Sequence, residues 1–122
     1  MKKSIRVRIK QQEDLIIKKM QNVTSEELEQ MKLHGEKLLV DFYADWCGPC
    51  KMLIPRLERM ETEYPDVKFV KLNVDHNREF SMDMGIRSVP TVMFFEGSSL
   101  IGQSAGAQSD DFYKRYLTQL NG

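Results

Sequence analysis

The stretch 46-WCGPCK-51 decides how this chain is read. It holds the only two cysteines of the sequence, Cys47 and Cys50, separated by Gly48 and Pro49. The run before it, Leu38 to Ala44, is short and almost wholly apolar, the pattern of a strand buried on both faces. Beyond it, Leu53, Leu57, Met60 and Tyr64 recur at helical spacing. They predict a helix from the cysteines to Tyr64, which Pro55 should kink near its first turns. The two sulfurs therefore stand where a buried strand hands over to a helix.

Such a pair can be a metal clip, a structural staple or a reversible electron carrier. A closed zinc site needs four ligands at recognisable spacing. Beyond the cysteines only His34 and His76 are of a suitable type, and neither lies at finger-like spacing. A chain of 122 residues, 41% apolar, can bury a core without a staple. The electron-carrier reading has positive support. Residues three apart on a helix lie about 5–6 Å apart, within the span a disulfide tolerates. Pro49 suits a first helical turn, where its missing N–H costs nothing. The positive helix N-terminus and its free N–H groups favour a thiolate, so Cys47 should ionise more readily than a free cysteine, at about 8.5. Cys50, one turn deeper, should be the less exposed. That asymmetry makes an attacker and a resolver.

The rest of the chain reads as one domain. Thr24 can cap a helix running to about Leu33, with Glu27 completing a capping box and Val23 and Leu28 a hydrophobic staple; His34-Gly35 ends it. Val67 to Val74 reads as a strand, and Asn77 to Met84 as a short helix closed by Gly85. Thr91 to Glu96 and Leu100 to Ser104 read as strands around a Gly97-Ser98 turn. Ser109 caps a last helix with Tyr113, Tyr116, Leu117 and Leu120 inward. The expected architecture is α/β, a mixed central sheet with helices on both faces. Met52, Met60, Met82, Met84 and Met93 are expected to fill the core, with His34 and His76 on the surface.

Charge balances at 18 basic and 18 acidic residues, which does not point to a nucleic-acid partner. Lys2, Lys3, Arg6, Arg8 and Lys10 nevertheless make residues 1–14 a basic arm, read as disordered or as an extra edge strand through Ile5, Val7 and Ile9. A second short strand is expected over Leu15 to Met20. Basic residues interrupt any apolar leader and no membrane-spanning run occurs, so the expected compartment is the cytoplasm. Two lone charges sit inside apolar runs, Asp41 and Lys71. A buried carboxyl behind a dithiol would have a raised pKa and could exchange a proton with Cys50.

At this point the residues resemble a known family. The runs 40-VDFYADWCGPCKM-52, 70-VKLNVD-75 and 86-IRSVPT-91, with Gly106 ahead of the last helix, resemble thioredoxin, over roughly residues 15–122. The resemblance implies a thioredoxin-like fold and protein disulfide reduction, with Cys47 as nucleophile and Cys50 as resolver. It implies that Asp41 is the buried acid and Lys71 its partner. Trp46, Gly48, Pro49, Val89, Pro90 and Gly106 would form the substrate patch, Pro90 as a cis proline. It implies no bound cofactor or metal beyond the redox disulfide, a monomer, protein disulfide substrates, and an NADPH-dependent thioredoxin reductase as electron donor. Ser88 stands where the family pattern has glycine, Tyr43 where tryptophan is common, and residues 1–14 have no counterpart. The same fold would also serve an exported disulfide oxidase or isomerase, or a binding subunit without catalysis.

Overall fold

The computed structural model describes residues 19–122. The basic arm and most of the proposed strand over Leu15 to Met20 lie outside the described residues. Of that strand Lys19 and Met20 are described, and Met20 is buried against the core.

In chain order the elements are β1 (Gln21–Asn22), α1 (Ser25–Leu33), β2 (Lys37–Tyr43), α2 (Gly48–Glu61) and β3 (Lys68–Asn73). A 3-10 turn (Val74–His76), α3 (Arg78–Asp83), β4 (Thr91–Glu96), β5 (Ser99–Ala105) and α4 (Asp110–Leu120) complete the fold. The five strands order as β1-β3-β2-β4-β5. The β1–β3 and β3–β2 pairs are parallel; β2–β4 and β4–β5 are antiparallel. The mixed sheet read from the sequence is thus present, with β2 at its centre. Its two β-α-β crossovers force parallel pairing on one side, and the tight Gly97-Ser98 turn forces antiparallel pairing on the other.

Alternation along β2 divides the core into two layers. Leu39 faces Leu53 and Leu57 of α2 and Tyr113 and Leu117 of α4. Leu38, Val40 and Phe42 face Leu28 and Met31 of α1, with Phe80 and Met84 of the α3 region packed against them. Six of the seven β2 residues are buried. A short apolar run with no polar face is the sequence consequence of being covered on both sides.

Local chemistry sets the element ends. Thr24 Oγ1 accepts the Glu27 N–H at 3.1 Å, and Glu27 Oε1 accepts the Thr24 N–H at 3.0 Å, a complete capping box. Gly97, at φ +60°, takes the turn position that L side chains resist, and its N–H reaches the Glu36 carbonyl at 2.9 Å. Helix α2 ends at Glu61, short of Tyr64, where Thr62 Oγ1 turns back to the Arg59 carbonyl at 2.9 Å. Pro55 lies inside α2, which continues through it. Arg56 ties α2 to the start of α4, with 2.7 Å to Asp110 Oδ1 and 2.6 Å to the Gln108 carbonyl.

Two of the methionines correct the expected core. Met60 and Met93 are buried, but Met52 and Met82 are exposed, at 74% and 76%. Both lie on outward helix faces, where helical spacing that passes through an apolar stripe still leaves one side to solvent. Among the described residues no helix is long and apolar enough to cross a membrane.

Strand β5 carries one close approach. The Tyr116 ring, stacked on Phe94 at 4.9 Å between centroids, lies directly over Gly102. A Cβ at Gly102 would sit 2.7 Å from Tyr116 Cδ1 and 2.8 Å from its Cζ. Gly102→Ala is therefore expected to push the ring off Phe94 and to lower stability by ~1–3 kcal/mol in urea denaturation, the usual cost of overpacking. An unchanged midpoint and slope would show that the ring yields freely.

Candidate active site

Strand β2 delivers the chain to the N-terminus of α2, and Cys47 is the residue at the junction. It has extended backbone, φ −88° and ψ 109°, and caps the helix with its own side chain. The Cys50 N–H points at Cys47 Sγ at 3.2 Å. The two cysteines are joined as a disulfide, with their Cα atoms 5.3 Å apart. Pro49 occupies the first turn, where an N–H would find no partner in the helix. Once the bond is reduced, the Cys50 N–H and the helix dipole both act on Cys47 Sγ and favour its thiolate.

Cys50 is fully buried, while Cys47 keeps a thin exposed edge of 4%. The difference in exposure is smaller than a helix-terminal position suggests, because Val89 closes over Cys47. Its carbonyl oxygen lies 3.7 Å from Cys47 Sγ. The Val89–Pro90 peptide is cis, and the Pro90 carbonyl accepts the Gly106 N–H at 2.7 Å. Gly106 sits at φ +78° with open space where a Cβ would project, so backbone conformation rather than room is what asks for glycine there. Gly48 and Pro49 are exposed beside the disulfide, and Gly48 also has open space around it.

Trp46 is 71% exposed, and its Nε1–H donates to Asp75 Oδ2 at 2.8 Å. Asp75 is held by the turn after β3, where its own N–H donates to Asn73 Oδ1 at 2.9 Å. Asn77 Nδ2 donates to the Asn73 carbonyl at 2.9 Å, and Asn77 Oδ1 accepts the Ser25 N–H at 3.0 Å. The indole thus forms one wall of an open groove of about 240 Å³ that runs from Asp75 past Ile86 to Val89. Of the residues read as a substrate patch, Trp46 and Val89 line this groove; Gly48, Pro49, Pro90 and Gly106 do not. Asp75, Arg78 and Arg87 line it and received no role from the sequence. The run 70-VKLNVD-75 contained Asp75, but nothing local shows that a residue 29 positions away supplies its donor.

Asp41 lies within β2, on the face that carries Leu39 and Tyr43, and is completely buried. Neither carboxylate oxygen has a hydrogen-bond partner among the described residues. Burial pushes its pKa from the ordinary 3.8 up to about 7, against the opposing pull of the Lys71 charge. Lys71 pairs with Asp41 in the parallel β2–β3 register. Its ammonium lies over the Tyr43 ring at 5.2 Å rather than in an ion pair with Asp41. Lys71, Tyr43 and Cys50 line a second hollow, of about 350 Å³, which opens beneath the disulfide.

Comparison with known proteins agrees with this geometry. The Thioredoxin family profile matches residues 17–119. Thioredoxin of Mycoplasmoides gallisepticum is 42% identical over 88 residues, which are 71% of this chain and 88% of that protein. Thioredoxin-T of Drosophila melanogaster is 41% identical over 88 residues; the match takes in 70% of this chain but only 56% of that longer relative. The crystal structure of mitochondrial thioredoxin 3 from Saccharomyces cerevisiae, in its oxidised form, superposes with a TM-score of 0.72 at 35% identity. That superposition covers 80% of this chain and 92% of the yeast one.

The buried acid makes stability depend on pH. Folded Asp41 keeps its proton to about pH 7, whereas the unfolded chain releases it near 3.8. Between these values the unfolded state binds fewer protons, so stability falls as pH rises through that window. The full cost, ~4 kcal/mol, is present above pH 7. Asp41→Asn, measured by chemical denaturation of the oxidised chain, is expected to abolish the fall between pH 4 and 7. At pH 8 it should exceed the parent by ~1–4 kcal/mol, the lower figure allowing for a buried amide. A parent whose stability is flat over this range would contradict the assignment.

Proposed function

This chain belongs to the thioredoxin family of thiol–disulfide oxidoreductases, and from that premise we propose how its own residues reduce a protein disulfide. The thiolate of Cys47 attacks one sulfur of the substrate. That S–S bond breaks, a Cys47–substrate mixed disulfide forms, and the departing substrate thiolate takes a proton. Cys50 then gives up its proton and attacks Cys47 Sγ, forming the intramolecular disulfide and expelling the second substrate thiolate. Two electrons pass from the dithiol to the substrate, and the chain is left oxidised.

The observation that carries this reading is the single hydrogen bond from the Cys50 N–H to Cys47 Sγ at a helix N-terminus. It favours charge on one sulfur, the one with an exposed edge. Asp41 is the proposed acceptor for the Cys50 proton, since a carboxyl that titrates near pH 7 can hold or release a proton under physiological conditions. Lys71 is its proposed partner, lowering the cost of the charged form. The carbonyl and N–H of Val89 have no backbone partner among the described residues, so an extended substrate segment can pair with them beside the disulfide. Gly48 and Pro49 are exposed beside Cys47, and Gly48 adds no side chain to that side of it. The cis Pro90 and the Gly106 N–H that it binds hold Val89 in place.

The electron donor proposed on family grounds is an NADPH-dependent thioredoxin reductase, with no cofactor bound to this chain itself. The active unit proposed is residues 15–122 acting as a monomer in a reducing cytoplasm, with the basic arm of residues 1–14 outside it. The span of the family match supports the boundary.

Reduction of insulin disulfides, with NADPH and a thioredoxin reductase supplying electrons, tests the proposal. Cys50→Ser is expected to accumulate mixed disulfides visible on non-reducing gels, and Cys47→Ser to accumulate none and lose turnover by at least a thousandfold. Alkylation of the reduced chain across pH should show one thiol titrating below 8.5. Turnover by Cys47→Ser would reverse the roles given to the two sulfurs.

A further inference from the structure

The groove beside Cys47 carries a charge pattern that disulfide exchange alone does not require. Its floor is apolar, built from Val74, Ile86 and Val89, while Arg78 and Arg87 line it as exposed residues. The two arginines come from opposite ends of the α3 segment: Arg78 opens the helix, and Arg87 follows the turn at Gly85. Neither guanidinium has an ion-pair partner among the described residues. The one carboxylate lining the groove, Asp75, already accepts the Trp46 Nε1–H. With Asp75 counted, the lining of the groove carries one net positive charge, beside the surface where the substrate is proposed to lie. Beside an apolar floor their attraction for an anion is screened less than in open water. A guanidinium fork also matches a carboxylate bidentately.

We infer that Arg78 and Arg87 are specificity-determining residues that select disulfide substrates carrying an Asp or Glu side chain next to the reacting cysteine. The occupant is an extended acidic peptide segment. Its backbone pairs with Val89, an aliphatic side chain enters the groove, and the carboxylate meets the arginines. This inference rests on the attack by Cys47 proposed above, since it names the substrate class of that same site.

The test uses two disulfide-bonded peptides that differ only in Glu or Lys beside the cysteine. The reduced chain is expected to favour the Glu peptide in kcat/KM by about tenfold at low ionic strength, with most of the preference lost at high salt. Joint replacement Arg78→Glu and Arg87→Glu should reverse the order, while the salt dependence of the unaltered chain examines the same point without any substitution. In a second arm, Cys→Ser versions of both peptides are titrated by NMR into the chain carrying Cys47→Ser and Cys50→Ser. The Glu peptide should bind several-fold more tightly and shift the amide of Val89. Equal reduction and equal binding of the two peptides would overturn the acid selection and leave the reductase proposal standing. Preferential binding of the Glu peptide with no reduction of either would sink the reductase proposal and keep the selection. Neither reduction nor preferential binding would remove both.

Discussion

Strand β2 is covered by α2 and α4 on one face and by α1 and α3 on the other, and it pairs with β3 and β4 along both edges. Its backbone has no freedom left, so the point at which it ends is held rigidly. Cys47 sits four residues beyond that end, as the cap of a 14-residue helix. The Cys50 N–H meets Cys47 Sγ because the strand and the helix are each held by their own packing. A thiolate-stabilising contact on a mobile loop would be worth little; here the scaffold has already met the cost of ordering it.

The same burial accounts for Asp41. A carboxyl in the middle of a doubly covered strand is expensive when charged, and its proton is retained to about pH 7. The fold therefore carries a destabilising group at neutral pH within its central strand. A local violation of the apolar pattern is thus tolerated at a cost in stability. Lys71 moderates the penalty across the strand register without forming an ion pair, its ammonium resting over Tyr43 instead.

The groove shows how little of a cleft's wall is local. Trp46 is adjacent to Cys47 in sequence, but its orientation comes from Asp75, and Asp75 is placed by a network through Asn73 and Asn77 to the start of α1. The opposite wall comes from the segment around Val89. Three separate regions of the chain thus make one groove. Arginines that look like ordinary solvated charges along α3 acquire a direction only once that surface is assembled.

Much of this was legible in the residues alone. The helix start at Thr24, the doubly buried β2 run, the Gly97-Ser98 turn and the cysteine pair at a helix mouth are short-range patterns, because caps, turns and strand alternation act over a few residues. The charge of Asp41 within an apolar run, and hence its burial, was visible for the same reason. Periodicity alone carries α2 three residues too far, since Tyr64 continues the apolar stripe after Thr62 has capped the helix. Hydrophobicity alone places Met52 and Met82 inward, because it does not say which side of a helix is left uncovered. What the sequence determined, then, was the set of elements and the reactive pair, through interactions between near neighbours. What only the tertiary structure decided was how Val89 narrows access to Cys47, which acid holds Trp46, and which charges face the groove. Those depend on packing between segments far apart in the chain, which no local pattern encodes.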